Sequence, residues 1–430
     1  MKTLLRKIIP RNIFLFFQPF YHYVIALVTS IVYGFPSRKI NVVAITGTKG
    51  KTSTAEMVNA ILEEAGWKTA LAGSLRFKTG ENSEHNKFGM SMPGLGYLQR
   101  FIRDAVKQKC DWVILEMTSE GAKQFRHKFI YLDAFIFTNL APEHIESHGS
   151  FEKYLRDKKQ IALLLNESPK KRRVAVVNID DVYAKDFTPS GATETVLYSL
   201  KNAEPYTTDR SGIVMNFEDT TIHSPLKGTF NIKNMLAAAY FAKSFGVATP
   251  VITRAFSKMV KIRGRGEHIT LPNDHLLKDK QTFDAVVDYA HTIESLEALY
   301  SSFPNQRKIC VLGNTGGGRD TWKRPGMAKI ADTFCDEIIL TTEDPYDEDP
   351  EHIIEDMKPG ITRLDPKIII DRREAIREAV SMARDGDVVF ATGMGSQEYM
   401  CVKGGKKIPW DDALVMREEI EKKLSVDSIQ

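Results

Sequence analysis

Val42-Val43-Ala44-Ile45-Thr46-Gly47-Thr48-Lys49-Gly50-Lys51-Thr52-Ser53-Thr54 is the stretch on which the reading of this chain turns. The apolar run Val42–Ile45 reads as a buried strand, and Met57, Val58, Ile61 and Leu62 follow with helical spacing. Between them lies a glycine turn. A strand, a glycine loop and a helix together aim backbone N–H groups and a helix N-terminus at a polyphosphate. Lys51 would reach the terminal phosphates, and the Thr52 hydroxyl would help hold Mg2+. The common P-loop has a glycine five positions before its Gly-Lys; here Ile45 stands there and the first glycine is Gly47, so the loop is a shortened form. ATP is the expected ligand, contacted by Gly47, Thr48, Lys49, Gly50, Lys51, Thr52 and Ser53.

The rest of the chain sets limits. With 430 residues it is too long for one ordinary core and suits two or three domains. A net charge of +4 is too mild to argue for nucleic acid, and none is expected as a partner. Cys110, Cys310, Cys335 and Cys401 lie far apart with no Cys-x-x-Cys pair, which argues against a disulfide framework and a structural zinc site. The cytoplasm is the default compartment, and a monomer the expected state. Residues 13–35 complicate the first default. They are largely apolar and aromatic, interrupted by Gln18, Pro19 and His22, with basic residues on both sides. A membrane-surface or membrane-inserted anchor, at the inner face of the cytoplasmic membrane, is the first reading. A helix packed on the first domain is the second.

Strand-like runs recur at Trp112–Leu115, Ala134–Phe137, Val174–Val177, Ala285–Val287, Ile309–Leu312, Glu337–Leu340 and Val388–Ala391. They alternate with amphipathic stretches, so the class is α/β with mostly parallel sheets covered by helices. Lys201 to Gly228 alternates more weakly and reads as antiparallel hairpin material. Arg263-Gly264-Arg265-Gly266 and the polar stretch Pro272 to Gln281 suggest a boundary. The expected layout is an apolar leading segment (1–38), a P-loop ATP domain (39–262) and a second, C-terminal α/β domain (263–430).

Further motifs follow the loop in register. Ile114-Leu115-Glu116-Met117-Thr118-Ser119 puts a carboxylate at a strand end, where α/β sheets bind ligands. Phe137-Thr138-Asn139-Leu140-Ala141-Pro142-Glu143-His144-Ile145-Glu146-Ser147-His148-Gly149 comes next, and Lys158 stands nine residues after Gly149. Gly228-Thr229-Phe230-Asn231-Ile232-Lys233-Asn234, Gly264-Arg265, Asp288-Tyr289-Ala290-His291-Thr292 and Gly316-Gly317-Gly318-Arg319-Asp320-Thr321-Trp322-Lys323-Arg324-Pro325 complete the set. Read together, they resemble the Mur ligases, ATP-dependent enzymes that add amino acids to the peptide of peptidoglycan precursors. The likeness is greatest to the branch that adds the third residue, and it spans about residues 40–420.

The resemblance implies roles. Glu116, His144 and Thr52 would hold Mg2+, and Lys158 as a carbamate would hold a second ion beside the γ-phosphate. Lys51, Lys158 and His144 would be catalytic. Asn231 and Asn234 would seat the adenine and cap a helix, while Arg265, Asp288 and His291 would complete the nucleotide site. The C-terminal domain would be Rossmann-like. Ser91, Thr118, Ser119, Gln124, Arg126 and Arg319 would contact substrate. The amino acid would be selected by Glu343, Asp344, Tyr346, Gly393 and Gln397.

Several positions depart from the family pattern. Glu120 stands where the family has His, and Pro142-Glu143 where it has Arg-Asp. The member specific for diaminopimelate carries Asp-Asn-Pro-Arg, with the arginine gripping the far carboxylate. Here the run is Glu343-Asp344-Pro345-Tyr346, and a tyrosine cannot make that bidentate grip. Gly-Lys-Gly-His-Glu is Gly393-Met394-Gly395-Ser396-Gln397, with Glu398 one place late. Both departures argue against diaminopimelate and leave the amino acid open. Full-length relatives begin with a UDP-binding domain, whereas only Met1 to Arg38 precede the ATP domain here. A muramyl peptide carried by UDP or by a lipid is therefore the expected acceptor. Ligation would proceed through an acyl phosphate. The rivals are a polyglutamate or folylpolyglutamate synthetase of the same superfamily and, from another class, a P-loop ATPase without ligase activity.

Overall fold

In the computed structural model, which describes residues 11–143, 145–209 and 211–427, the first sheet has eight strands. They are β1 (Asn41–Thr46), β2 (Thr69–Ala72), β3 (Arg76–Thr79), β4 (Asn82–His85), β5 (Trp112–Glu116), β6 (Ala134–Phe137), β7 (Val174–Asn178) and β8 (Glu194–Tyr198), in the order β4-β3-β2-β5-β1-β6-β7-β8. The six strands from β2 to β8 in that order pair in parallel, and β3 and β4 fold back antiparallel at one edge. Strand β1 is buried from Val42 onward, as a strand covered on both faces must be. Its register sets Ile45 beside Glu116 and Thr46 beside Phe137. The loops that leave β1, β5 and β6 therefore open on one crevice.

Strands β9 (Tyr206–Asp209), β10 (Gly212–Phe217) and β11 (Thr220–Ser224) form a small sheet within the stretch read as hairpin material. The second large sheet holds β12 (Glu267–His268), β13 (Asp284–Asp288), β14 (Lys308–Leu312), β15 (Glu337–Leu340), β16 (Lys367–Ile368) and β17 (Val388–Thr392). Its order is β12-β13-β17-β14-β15-β16, parallel except for β12. A hairpin of β18 (Tyr399–Val402) and β19 (Lys406–Pro409) follows. The chain divides into two units. One comprises residues up to Thr207 with Val214–Ser224 and Phe230–Met259; the other comprises Thr208–Ile213, Pro225–Thr229 and the chain from Val260. The class is the expected one, α/β with a mostly parallel sheet in the P-loop unit.

Two expectations need correction. Cys310 and Cys335 form a disulfide, although their spacing argued against one. Cys310 lies inside β14, and Cys335 ends the helix Arg324–Phe334 that leads into the adjacent strand β15, so 25 residues of separation close to a Cα–Cα distance of 6.2 Å. Asn231 and Asn234 lie inside the helix Thr229–Ser244, within its first two turns, and neither caps it.

The apolar leading segment forms the helix Arg11–Val32. Among the described residues no helix is long and apolar enough to cross a membrane. His22, Ala26 and Ser30 are buried, while Tyr23 meets Phe125 and Phe129 edge-on. One face of the helix is thus packed on the P-loop unit, in keeping with the second of the two readings.

Candidate active site

The P-loop is shaped by two close approaches. Gly47 has φ +155°, and a Cβ there would lie 1.9 Å from Thr138 Oγ1. Gly50 has φ +80°, and its Cβ would lie 2.3 Å from Asn234 Oδ1. Only glycine fits either place. The segment after β6 holds the loop from the other side. Asn139 accepts from Thr48 N (2.8 Å) through its carbonyl and from Lys49 N (2.8 Å) through Oδ1. Thr138 Oγ1 donates to the Lys49 carbonyl at 2.7 Å. Thr48 Oγ1 meets the Tyr154 hydroxyl at 2.8 Å, and Lys49 Nζ pairs with Glu143 at 2.9 Å. Ser53 is buried in the first turn of the helix Lys51–Glu64, which the loop feeds.

Three charged groups converge on this loop. Lys51 Nζ donates to the carbonyls of Gly47 and Thr48, both at 2.9 Å. Lys158, on the helix Phe151–Glu167, donates to the same Gly47 carbonyl at 2.6 Å. Its amine is buried and lies 4.9 Å from the Tyr154 ring centre. Burial, and then the nearby Lys51 cation, hold the Lys158 amine well below the ordinary lysine range. Glu116 accepts from Thr52 Oγ1 at 3.1 Å and from Ser74 through both its N–H and its hydroxyl, each at 2.8 Å. His144 lies outside the described residues. Among those described, no cluster of three His, Cys, Asp or Glu side chains could hold a metal. Thr52 and Glu116 nevertheless supply a hydroxyl and a carboxylate at the loop mouth, which suits Mg2+, an ion that takes one or two protein carboxylates and fills its remaining positions with phosphate and water.

A second group lies beyond β5. Thr118 caps the helix Ser119–Lys123, accepting from Gly121 N, and Ser119 is buried behind it. Arg126 donates to the Met92 carbonyl and to Gln124 Oε1, both at 2.5 Å. Its Nε is buried without a hydrogen-bond partner, and burial pulls its pKa down. The Ser91 hydroxyl is buried and also lacks a partner. Glu120 acts on this guanidinium through space, and a buried N–H left unbonded is suited to an anionic ligand.

In the second unit, Arg265 lies 4.5 Å from the ring centre of Tyr289 and donates to the Gly264 carbonyl. Asp288, at the end of β13, accepts from Gly266 N, and His291 Nδ1 meets the Tyr289 carbonyl at 2.6 Å. Arg319 lies 4.8 Å from the Tyr346 ring centre. Tyr346 has φ +52° and Asp344 φ +37°. These strained positions are pinned by Cys401, whose N–H donates to Asp344 Oδ1 at 2.6 Å and whose carbonyl accepts from Tyr346 N at 3.0 Å. The Gln397 side chain also bonds Asp344. Glu343 is fully buried; Thr315 donates to its Oε1 at 2.8 Å, while Oε2 has no partner. That oxygen lies 1.9 Å from where a Cβ on Gly393 would stand, so only glycine admits it. Burial pushes the Glu343 carboxyl up to about 7.

Sequence reasoning passed over Ser74, Tyr154, Asp157 and His148 as contributors. His148 is buried with Nδ1 2.9 Å from Asp157 and Nε2 3.6 Å from Glu120, the residue that departs from the family pattern. The adjacency of Asp157 to Lys158 was the one available signal. For Ser74 there was none, because it reaches Glu116 only through the pairing of β2 with β5.

A shortened P-loop beside a buried lysine, on a parallel sheet joined to a second α/β unit, describes a ligase class of ATP-using proteins. Residues 45–242 match the Mur ligase middle domain, and residues 275–395 match the Mur ligase glutamate ligase domain. The UDP-N-acetylmuramoyl-L-alanyl-D-glutamate--2,6-diaminopimelate ligase of Syntrophomonas wolfei is 34% identical over 93% of this chain and 82% of its own length. The UDP-N-acetylmuramyl-tripeptide synthetase of Roseiflexus sp. is 33% identical over 92% and 81%. Among solved structures, a diaminopimelate ligase of that kind superimposes with TM-score 0.59 and 26% identity over 89% of this chain and 79% of its own. The folylpolyglutamate synthase of Mycobacterium tuberculosis, complexed with ADP and AMPPCP, shares the fold with TM-score 0.67 at 15% identity, over 86% and 92%. The chain belongs to the Mur ligase family, and it is an ATP-dependent amide-bond ligase.

Proposed function

We propose that this ligase adds an amino acid to the peptide of a muramyl-peptide precursor of peptidoglycan, with residues 39–262 as the ATP domain and 263–430 as the ligase domain. The observation that carries the reading is the buried Lys158 amine, held beside Lys51 on the Gly47 carbonyl. An uncharged amine can add to CO2, forming an N–C bond and releasing a proton, which turns Lys158 into an anion. In that form it would serve, with Thr52, Glu116 and His144, as a ligand for Mg2+. Bound Mg2+ neutralises phosphate charge.

A carboxylate oxygen of the precursor attacks the γ-phosphorus of ATP, and the bond to ADP breaks. The acyl phosphate then yields to the amino acid's nitrogen, the acyl C–O bond breaks, and phosphate departs with loss of the amine proton. Lys51 and the loop N–H groups hold the phosphoryl group; Arg126, Ser91, Thr118, Ser119 and Gln124 hold the precursor. In the second unit, Arg265, Asp288 and His291 serve the nucleotide. Arg319, Glu343, Asp344, Tyr346, Gly393 and Gln397 line the place of the amino acid. Asn234 stands against the loop and, with Asn231, would seat the adenine.

The test is phosphate release with UDP-linked muramyl peptide, lipid-linked muramyl peptide or folate as acceptor, each crossed with a panel of amino acids. Release that requires a muramyl peptide and one amino acid together is the expected result. Turnover on folate would favour the polyglutamate reading, and turnover without any acceptor would favour a plain ATPase.

A further inference from the structure

The leading helix presents its two faces the wrong way round for a helix in water. Inward, Ala26 and Ser30 are buried, and Thr29 packs so tightly that a Cβ on Gly96 would lie 2.3 Å from its Cγ2. Outward, Phe20, Val24, Val28, Ile31 and Val32 form one stripe and are 66, 39, 48, 58 and 70% exposed. A surface helix normally turns its charged residues outward. This one has none to turn, because no Asp, Glu, Lys or Arg occurs from Asn12 to Ser37.

The sequence on either side of the stripe is basic. Lys2, Arg6, Lys7 and Arg11 precede it in sequence, Arg38 and Lys39 follow, and the first acidic residue of the chain is Glu56. The helix Tyr97–Lys107, against which the leading helix packs, carries Arg100, Arg103 and Lys107 against one acid, Asp104, which pairs with Arg103. Phe20, Tyr21 and Tyr23 are amphipathic or aromatic side chains of the kind that settle at a lipid headgroup layer.

We propose that the outer face of the helix Arg11–Val32 lies in the plane of an anionic lipid surface. The charge pattern selects this occupant. Anionic headgroups complement this net positive charge, whereas a second copy of the chain would set like charge against like. The helix lies on the surface and does not span it, since its other face is committed to the protein. The docking is independent of the ligase reading, but one consequence rests on that reading. His22, on the inner face, adjoins Gly94, where a Cβ would lie 3.4 Å from His22 Cε1 and 3.8 Å from Arg126 Cζ. Docking therefore brings the Arg126 end of the precursor site next to the lipid, and the acceptor it serves is a muramyl peptide carried by a membrane lipid.

The experiment is co-sedimentation of the full chain with vesicles of phosphatidylcholine and phosphatidylglycerol, and with phosphatidylcholine alone. It compares the wild type with Val24→Asp/Val28→Asp/Ile31→Asp, with melting temperature and turnover on a soluble UDP-linked precursor as controls. The wild type should pellet with the anionic vesicles, and binding should fall by about tenfold or more in high salt or without the anionic lipid. The triple variant should lose at least about tenfold in vesicle binding, with both controls unchanged. Equal pelleting of the two proteins, or no pelleting of the wild type at low salt, overturns the proposal. A wild-type dimer that the variant makes monomeric, without vesicle binding, assigns the face to a second copy. Binding that survives high salt and alkaline carbonate overturns the in-plane placement. Vesicle binding without turnover on either muramyl peptide leaves the docking standing and overturns its consequence for the acceptor.

Discussion

Lys51 and Lys158 donate to one and the same oxygen, the carbonyl of Gly47, at 2.9 and 2.6 Å. Two ammonium groups so placed would repel each other in a site that water hardly reaches, and the fully buried one is the group driven toward neutrality. Lys158→Ala should therefore cut ligation by about a hundredfold or more. Partial rescue by a small added carboxylate, and loss of wild-type activity when CO2 is stripped from the buffer, should accompany it. Full activity in the alanine variant would remove Lys158 from the chemistry.

Gly47→Ala sets a methyl group against Thr138 Oγ1 at 1.9 Å, where neither the side chain nor the adjacent Asn139 backbone can yield. Nucleotide affinity, read by calorimetry with ADP, should fall by about a hundredfold. Gly50→Ala meets the Asn234 side chain alone, though its φ of +80° strains any side chain there. The double variant Gly50→Ala/Asn234→Ala should recover part of what the single one loses. Strict additivity of the two would show that the contact plays no part.

Arg126 feels the Glu120 carboxylate, yet its buried Nε has no hydrogen-bond partner among the described residues and can take one from a ligand. Arg126→Ala should raise KM for the precursor on the order of tenfold to a hundredfold and leave KM for ATP unchanged. A change confined to ATP would reject the assignment.

Glu343 tests the second unit through pH. Its folded pKa of about 7 stands above the ordinary 4.5, so between those values the folded state holds the more protons. Stability from this group is complete below about pH 4.5 and is lost as pH rises through about 7. Glu343→Gln should flatten that slope and, by the size of the shift, relieve on the order of 3 kcal/mol at pH 8. Thermal melts of both proteins across pH 5 to 8 would show it; parallel curves would count against a buried, protonated Glu343.

On the proposed reading, Tyr346 takes the place of an arginine that would grip a distal carboxylate. Tyr346→Arg should raise kcat/KM for diaminopimelate relative to amino acids without a second carboxylate, by about tenfold. An unchanged ranking would place selection elsewhere.

The parts of the fold with strong periodicity were legible in the sequence. Val42–Ile45 is the centre of β1, and Glu337–Leu340 is β15 to the residue. Strands β3 and β4 were not, because Arg76–Thr79 is half charged and Asn82–His85 is almost wholly exposed, so neither shows an apolar run. Two-residue strands such as β12 and β16 leave no pattern to read. At the site, residues carried by a motif were visible, whereas partners joined only by strand pairing were not. Ser74 beside Glu116 is one case, and Cys310 beside Cys335 is another.

The contact between Gly50 and Asn234 joins the loop to a helix that is made some 180 residues later in the chain, where Thr54 also bonds Asn234. During synthesis the loop emerges long before the segment that completes its wall. A nascent chain halted ahead of Asn234 would carry the glycines and both lysines, yet its grip on ATP would be unfinished. The order of synthesis and the order of contact thus run apart: the loop is made early, and its wall closes only when the chain has reached Asn234.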